Sequence, residues 1–207
     1  MKQKKQLVVT ISRQLGSGGA YIGTQIAKKM DMMYADREII SEAAKKFSVG
    51  EADIVSCDER ILSFWQSLLK ASPFTQDLYV PPRMKAPGDH ELFEAEAEII
   101  RCFARKHSAV IIGRCGFHVL RKMKNHVSLF FYAGTEFRIN RIQEIYDVSP
   151  EAAATMIARS DRERSAYCKS ITGKDWADAR NYHLSIDTAR AGIEKTVELT
   201  ADYLESI

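Results

Sequence analysis

Residues 6–30 read QLVVTISRQLGSGGAYIGTQIAKKM, and this stretch decides the fold. Leu7–Ile11 is a β-branched run, Gly16-Ser17-Gly18-Gly19 is a glycine-rich turn, and Ile22, Ile26 and Met30 recur at helical spacing. A strand that turns through glycines into a helix builds a cradle for an anion. Glycine lets the backbone approach closely, amide N–H groups point inward, and the helix N-terminus adds favourable partial charge. The pattern implies the first β–α unit of an α/β nucleotide-binding domain, with the amides between Arg13 and Ala20 forming a polyphosphate pocket.

The cradle departs from the usual phosphate loop, in which a glycine is followed by four residues, Gly-Lys, and Ser or Thr. With Gly-Lys laid over Gly18-Gly19, Arg13 takes the place of the first glycine. Gly19 takes the lysine position and Ala20 the hydroxyl position. Arg13 offers charge from the other side of the turn, and Ser12 or Ser17 offers an oxygen, Ser17 being the candidate for Mg²⁺. The spacing alone is equally compatible with a tight turn that uses glycine only for steric reasons.

At 207 residues the chain fits one domain with a sizeable core. Apolar residues at 45% and charged residues at 28% are ordinary for a soluble globular protein, and a net charge of +3 is too mild to imply nucleic acid. The apolar run behind the basic Met1–Lys5 is too short for a secretory segment or a membrane span. Cys57, Cys102, Cys115 and Cys168 form no CxxC pair, so neither a zinc site nor a disulfide framework is indicated. A reducing cytoplasm is the expected setting.

Beyond the first helix, Met32–Ala35 is a short strand ending at Asp36, and Arg37–Phe47 reads as helical. Ser63–Lys70 also looks helical, whereas Pro73, Pro81, Pro82 and Pro87 make Ala71–Gly88 a loop or flap. Asp89–Lys106 is the clearest helix, with Leu92, Ala95, Ile99 and Phe103 on one face. Ala109–Ile112 is a buried strand, and Val127–Ala133 reads as a central parallel one. Thr135 reads as the cap of a helix through Tyr146. Ser149-Pro150-Glu151 supplies cap, first-position proline and first-turn acid for the next, which should stop near Gly173. A strand at His183–Ile186 and a helix over Ala191–Leu204 follow, the latter with Ile193, Val197 and Leu204 inward. Alternating strands and helices imply a parallel sheet covered on both faces.

Several segments together resemble the cytidylate kinase-like family, a divergent branch of the P-loop nucleoside monophosphate kinases. They are Ile11-Ser12-Arg13-Gln14-Leu15-Gly16-Ser17-Gly18-Gly19, Tyr34-Ala35-Asp36, Ile112-Gly113-Arg114-Cys115, Thr172-Gly173-Lys174-Asp175-Trp176 and Asn181-Tyr182-His183-Leu184. The resemblance spans nearly the whole chain. It implies a five-stranded parallel P-loop-type core from residues 6–36, 107–146 and 183–207, a helical monophosphate-binding region at 37–106 and an arginine-rich lid at 147–182. The implied activity is transfer of the γ-phosphate of ATP, with Mg²⁺, to a nucleoside monophosphate. Kinase activity on another small molecule, or a nucleotide-binding regulatory protein that has lost catalysis, are the alternatives. No nucleic-acid or membrane partner is expected. The family's Asp-Gly-Arg-Asp reads Ile112-Gly113-Arg114-Cys115 here, keeping only the arginine, and its Leu-Asp-Ser-Gly reads Ala35-Asp36-Arg37-Glu38.

Phosphoryl transfer needs donor and acceptor held in line, oxygen charge neutralised and water excluded, work that suits arginine. Arg13, Arg159, Arg162 and Arg164 are the catalytic candidates. Gly16, Ser17, Gly18, Gly19, Ala20 and Arg141 are the phosphate-binding ones, and Asp36, Arg37 and Arg114 the acceptor-binding ones. By composition, Arg159–Arg164 reads as a solvated face of mixed charge; the resemblance makes it the lid, with Asp161 bracing an arginine. Arg138 reads as ordinary helix surface, as does Arg141 unless it contacts nucleotide at the lid base. Asp36 serves equally as a helix cap or in substrate or metal binding. Trp176 and Tyr182 read as packing residues before base-stacking ones. Cys115 reads as a core residue, and the histidines show no metal-ligand spacing.

Overall fold

The computed structural model describes residues 6–36, 40–41 and 89–207. Arg37, most of the helix expected over Arg37–Phe47, and the segments Ser63–Lys70 and Ala71–Gly88 lie outside the described residues.

Five parallel strands form one sheet. In chain order they are β1 (Val8–Arg13), β2 (Met33–Ala35), β3 (Ala109–Ile112), β4 (His126–Tyr132) and β5 (Leu184–Asp187), arranged β2-β3-β1-β4-β5. β1 is central, pairing Ile11 with Ile112 on one side and with Leu129 on the other. The chain winds outward from β1 in both directions, and in such sheets ligands bind beyond the carboxyl ends of the strands where the winding reverses. Here that place is the tips of β1, β3 and β4.

Among the described residues the α-helices are α1 (Gly19–Lys29), α2 (Asp89–Lys106), α3 (Gly116–Val119), α4 (Thr135–Tyr146), α5 (Pro150–Thr172), α6 (Thr188–Ala191) and α7 (Ile193–Glu205). Alternation along the strands sends side chains to opposite faces. Val8, Ala109, Ile111 and Phe130 join α2, α3 and Cys168 of α5 in one cluster. Val9, Ile11, Val110, Ile112, Leu129 and Phe131 join α1 and α7 in the other. Leu15 of the glycine turn belongs to a third cluster with Ile142, Ala153 and Ile157, which binds the turn to α4 and α5.

The expected bounds of α2 hold to the residue, and α5 stops at Gly173, which takes a left-handed conformation. α4 ends at Tyr146 as expected, but Thr135 is its first residue and not its cap: Gly134 holds the cap position and no side chain caps the helix. Ser149 Oγ accepts from the Ala152 N–H at 3.2 Å, as its capping role requires. β4 and β5 are each displaced by one residue from expectation, and α3 and α6 are additional short helices. Among the described residues no helix is long and apolar enough to cross a membrane.

Candidate active site

The glycine turn lies where β1 passes into α1, at the carboxyl end of the sheet. Gly16 and Gly18 adopt φ of +81° and +78°, left-handed values that side-chain-bearing residues rarely tolerate. Three amides of the turn are engaged. Gln14 N–H donates to the Phe131 carbonyl at 3.0 Å, Leu15 N–H to Asp161 Oδ1 at 3.3 Å, and Ser17 N–H to the Gln14 carbonyl at 3.3 Å. Among the described residues no acceptor meets the N–H groups of Gly16, Gly18 or Gly19. Three donors at a helix N-terminus suit an anion.

The surroundings of the turn are cationic. A Cβ built on Gly16 would lie 2.9 Å from the Arg138 carbonyl oxygen. One on Gly18 would lie 3.7 Å from the guanidinium carbon of Arg141 and 2.4 Å from Ile193 Cδ1. One on Gly19 would lie 2.5 Å from Arg13 Cβ. A larger residue at position 18 therefore meets Ile193 and a strained backbone before it reaches any ligand.

Arg138 is not surface. It is buried, its Nη1 donates to Asp161 Oδ2 at 2.6 Å and to the Leu15 carbonyl at 3.4 Å, and it fastens the turn to α5. Asp161 thus braces an arginine of α4, not one of its own helix. The signal that could have found Arg138 is its place in the first turn of the helix that follows β4, beside the ligand end of the sheet. Of the expected lid arginines, Arg164 reaches the turn, Nη1 donating to the Arg13 carbonyl at 2.9 Å. Arg159 is exposed and bonds Glu163 on its own helix at 2.8 Å, and Arg162 is exposed. Neither is brought to the turn.

Ser17, the candidate for Mg²⁺, faces into the turn. Its hydroxyl is fully buried and donates to the Gln14 carbonyl at 2.9 Å, while its own carbonyl accepts from Thr188 Oγ1 at 2.8 Å. Ser12 is also buried and hydrogen-bonds Tyr182. Among the described residues no group of three or more His, Cys, Asp or Glu side chains is placed to hold a metal ion. The Ser17 hydroxyl is thus engaged within the turn itself. Asp36 accepts the Ile40 N–H on its carbonyl at 3.1 Å, the geometry of a helix start.

Beside the turn, β3 ends in three successive left-handed residues, Gly113, Arg114 and Cys115, with φ of +78°, +52° and +50°. For Arg114 and Cys115 this conformation is costly, and strain of this kind collects at functional sites. Arg114 Nη2 donates to Glu96 Oε1 of α2, Nη1 donates to Tyr167 of α5 at 3.5 Å, and its guanidinium carbon lies 5.6 Å from the Tyr167 ring centre. Side-chain exposure is 9% for Arg114 and 1% for Glu96, so this pair is buried. Burial pushes the Tyr167 phenol up. Glu96 was not legible as a site residue, because a lone glutamate on an amphipathic helix carries no distinguishing pattern. Cys115 is buried, with its thiol pushed up by contact with Cys168 and by burial, as suits a core residue. Trp176 and Tyr182 pack on Phe130, and the Tyr182 hydroxyl donates to the Trp176 carbonyl at 2.7 Å.

A cavity of about 420 Å³ bordered by Leu7, Met30, Met32, Asn125 and Leu204 opens at the amino ends of the strands, away from these groups.

The family model described as the cytidylate kinase-like family matches residues 8–190. The chain belongs to that family. No curated protein matches it. Among solved structures, an uncharacterized protein from Eubacterium ventriosum superposes with a TM-score of 0.74 at 20% identity, covering 98% of this chain and 100% of that one. Shikimate kinase from Bacteroides thetaiotaomicron gives 0.52 at 12% identity, covering 96% and 98%. Shikimate kinase from Acinetobacter baumannii in complex with shikimate gives 0.51 at 10%, covering 98% and 95%. These likenesses are of fold. The parallel sheet, the glycine turn on β1 and the family membership agree with a phosphotransferase. This cytidylate kinase-like chain keeps the turn without the lysine, and Arg114 without flanking acids.

Proposed function

We propose that the protein transfers the γ-phosphate of ATP to a small acceptor, a nucleoside monophosphate by family resemblance. The observation that carries this reading is the set of three open amides at Gly16, Gly18 and Gly19, overhung by Arg13 and Arg141, at the carboxyl end of the central strand. Amides and a helix N-terminus bind phosphate oxygens, and fixed guanidinium groups neutralise the charge that spreads over the transferring group. Arg114, one strand away, faces the place where the acceptor enters, with Glu96 and Tyr167 holding its orientation. Arg159 and Arg162 stand on the segment proposed as the lid, residues 147–182. They are proposed to act when that segment approaches the nucleotide. Residues 37–106 are proposed as the acceptor-binding region, Asp36 and Arg37 lying at its start. Magnesium enters on the nucleotide's own phosphate oxygens in this reading.

A second reading differs only in the acceptor. Where the family pattern flanks its arginine with two acids, this chain has Ile112 and Cys115, both buried and uncharged. No carboxylate at those positions remains to read the exocyclic amine of cytosine. That observation favours an acceptor other than CMP.

The test is a coupled assay of the purified protein with MgATP against CMP, UMP, dCMP, AMP, GMP and shikimate, with MgATP binding measured in parallel. ATP-dependent turnover of a monophosphate supports the first reading, and turnover of shikimate alone the second. Saturable MgATP binding without turnover on any acceptor supports a regulatory protein. Absence of MgATP binding overturns the proposal.

A further inference from the structure

We infer that Arg13 does the work of the absent loop lysine, and that Gly19 and Gly113 are glycine because its side chain runs across both. The inference rests on the nucleotide reading above and goes beyond it by assigning the loop's phosphate-facing cation.

Relative to the usual loop, this chain carries two changes at once: a cation where the first glycine belongs, and a glycine where the cation belongs. The structure makes them one change. A Cβ on Gly19 would sit 2.5 Å from Arg13 Cβ and 2.9 Å from Arg13 Cγ, distances at which something must shift. The stem of Arg13 therefore occupies the volume through which a side chain at position 19 would leave the helix. A cation fits at 13 or at 19, not at both.

The far end of Arg13 fixes where its charge goes. A Cβ on Gly113 would sit 2.8 Å from Arg13 Nη1, so the guanidinium reaches the tip of β3. It spans from the open amides of Gly18 and Gly19 to the residue next to Arg114. A phosphoryl group in transit between a nucleotide on the turn and an acceptor beside Arg114 passes along this span. The base of the side chain is also fixed: Arg13 pairs with Phe131 in the sheet, and its carbonyl accepts from Arg164. A planar, permanently charged group on a held stem meets the need for preorganised charge. The loop lysine supplies its charge from the first turn of the helix, whereas Arg13 supplies it from the last residue of the strand, across the same turn.

The experiment is a cycle of three variants, Arg13→Gly, Gly19→Lys and the double variant, read by MgATP and ADP binding, by phosphate release from MgATP, and by thermal unfolding. Arg13→Gly is expected to weaken MgATP at least tenfold and ADP less than threefold, because the lost charge lies at the γ-phosphate end. Gly19→Lys alone is expected to lose MgATP affinity at least tenfold, since the new side chain and Arg13 compete for one volume. The double variant, which rebuilds the usual pattern, is expected to exceed both single variants at least tenfold in MgATP affinity. A double variant no better than the worse single one overturns the inference, as does an equal loss of ATP and ADP affinity in Arg13→Gly. Should the double variant fail to fold, guanidinium ion added to Arg13→Gly decides. Restored phosphate release supports the assignment, and none at millimolar concentration overturns it. A wild-type protein that binds no MgATP instead overturns the nucleotide reading itself.

Discussion

Arg138 and Asp161, on two different helices, close a clamp around the glycine turn: the ion pair measures 2.6 Å, and the second Asp161 oxygen receives the Leu15 N–H at 3.3 Å. The third apolar cluster brings these helices together, and the pair turns that contact into a fixed position for the loop. Side-chain exposure is 8% for Arg138 and 20% for Asp161. Breaking a fully buried pair costs about 3–5 kcal/mol, because it strands the remaining charge. With Asp161 partly in water, Asp161→Asn is expected to cost about 2 kcal/mol in a urea titration, with MgATP affinity falling alongside. An unchanged midpoint would remove the clamp from the account.

Two glycines near the turn make a controlled comparison. Gly16→Ala places a Cβ 2.9 Å from the Arg138 carbonyl at φ +81°, with an expected loss of about 1–3 kcal/mol. Gly134→Ala meets nothing within 4 Å at φ −59°, and is expected to be neutral or to stabilise by about 0.4–1 kcal/mol. Thermal melts of the two variants side by side test the difference, and equal shifts would contradict it.

Glu96→Gln keeps the shape of the buried partner of Arg114 and removes its charge. The expected cost is about 3 kcal/mol, typical of a buried pair that loses one member. If Arg114 contacts the acceptor, the acceptor KM rises while the KM for ATP stays within about twofold, since the amide-lined turn is untouched. Steady-state kinetics at saturating ATP distinguish this from a purely structural pair, which would leave both constants alone.

His126 gives the protein a pH dependence. Burial and the neighbouring His183 lower its pKa to about 4, and its Nε2 lies 2.7 Å from Thr10 Oγ1 inside the sheet. The unfolded chain titrates near 6.5 and the folded one near 4, so between those values the unfolded state binds more protons. Stability is full above about pH 6.5 and falls toward pH 4, by up to about 3 kcal/mol. Unfolding measured at pH 7 and pH 4.5 should show this loss, and His126→Gln should reduce it. A loss of equal size in the variant would assign it to other groups.

Much of the architecture was legible because it rests on local signals. The apolar stripe of Asp89–Lys106 and the cap at Ser149 operate within a few residues, and both elements lie where the pattern puts them. The ends of β4 and β5 were not legible to the residue, because a strand ends where its neighbour's hydrogen bonds end, as in the pairing of Tyr132 with Asp187. The same distinction divides the site. Gly16 to Gly19 announced themselves by composition. Arg138 read as surface, since the carboxylate that lets it be buried stands 23 positions later on another helix.

The order of strands and helices, the family and the phosphate-type turn were determined by the sequence alone, because periodicity, glycine and capping chemistry act at short range. Which arginines face the turn was decided only by tertiary structure. Helix α5 carries Arg159, Arg162 and Arg164 within six residues, yet its packing against Leu15 turns Asp161 and Arg164 inward and leaves the other two in solvent. A charge acquires a role when a fold removes it from water beside a partner, and that partner is set by contacts far apart in the chain.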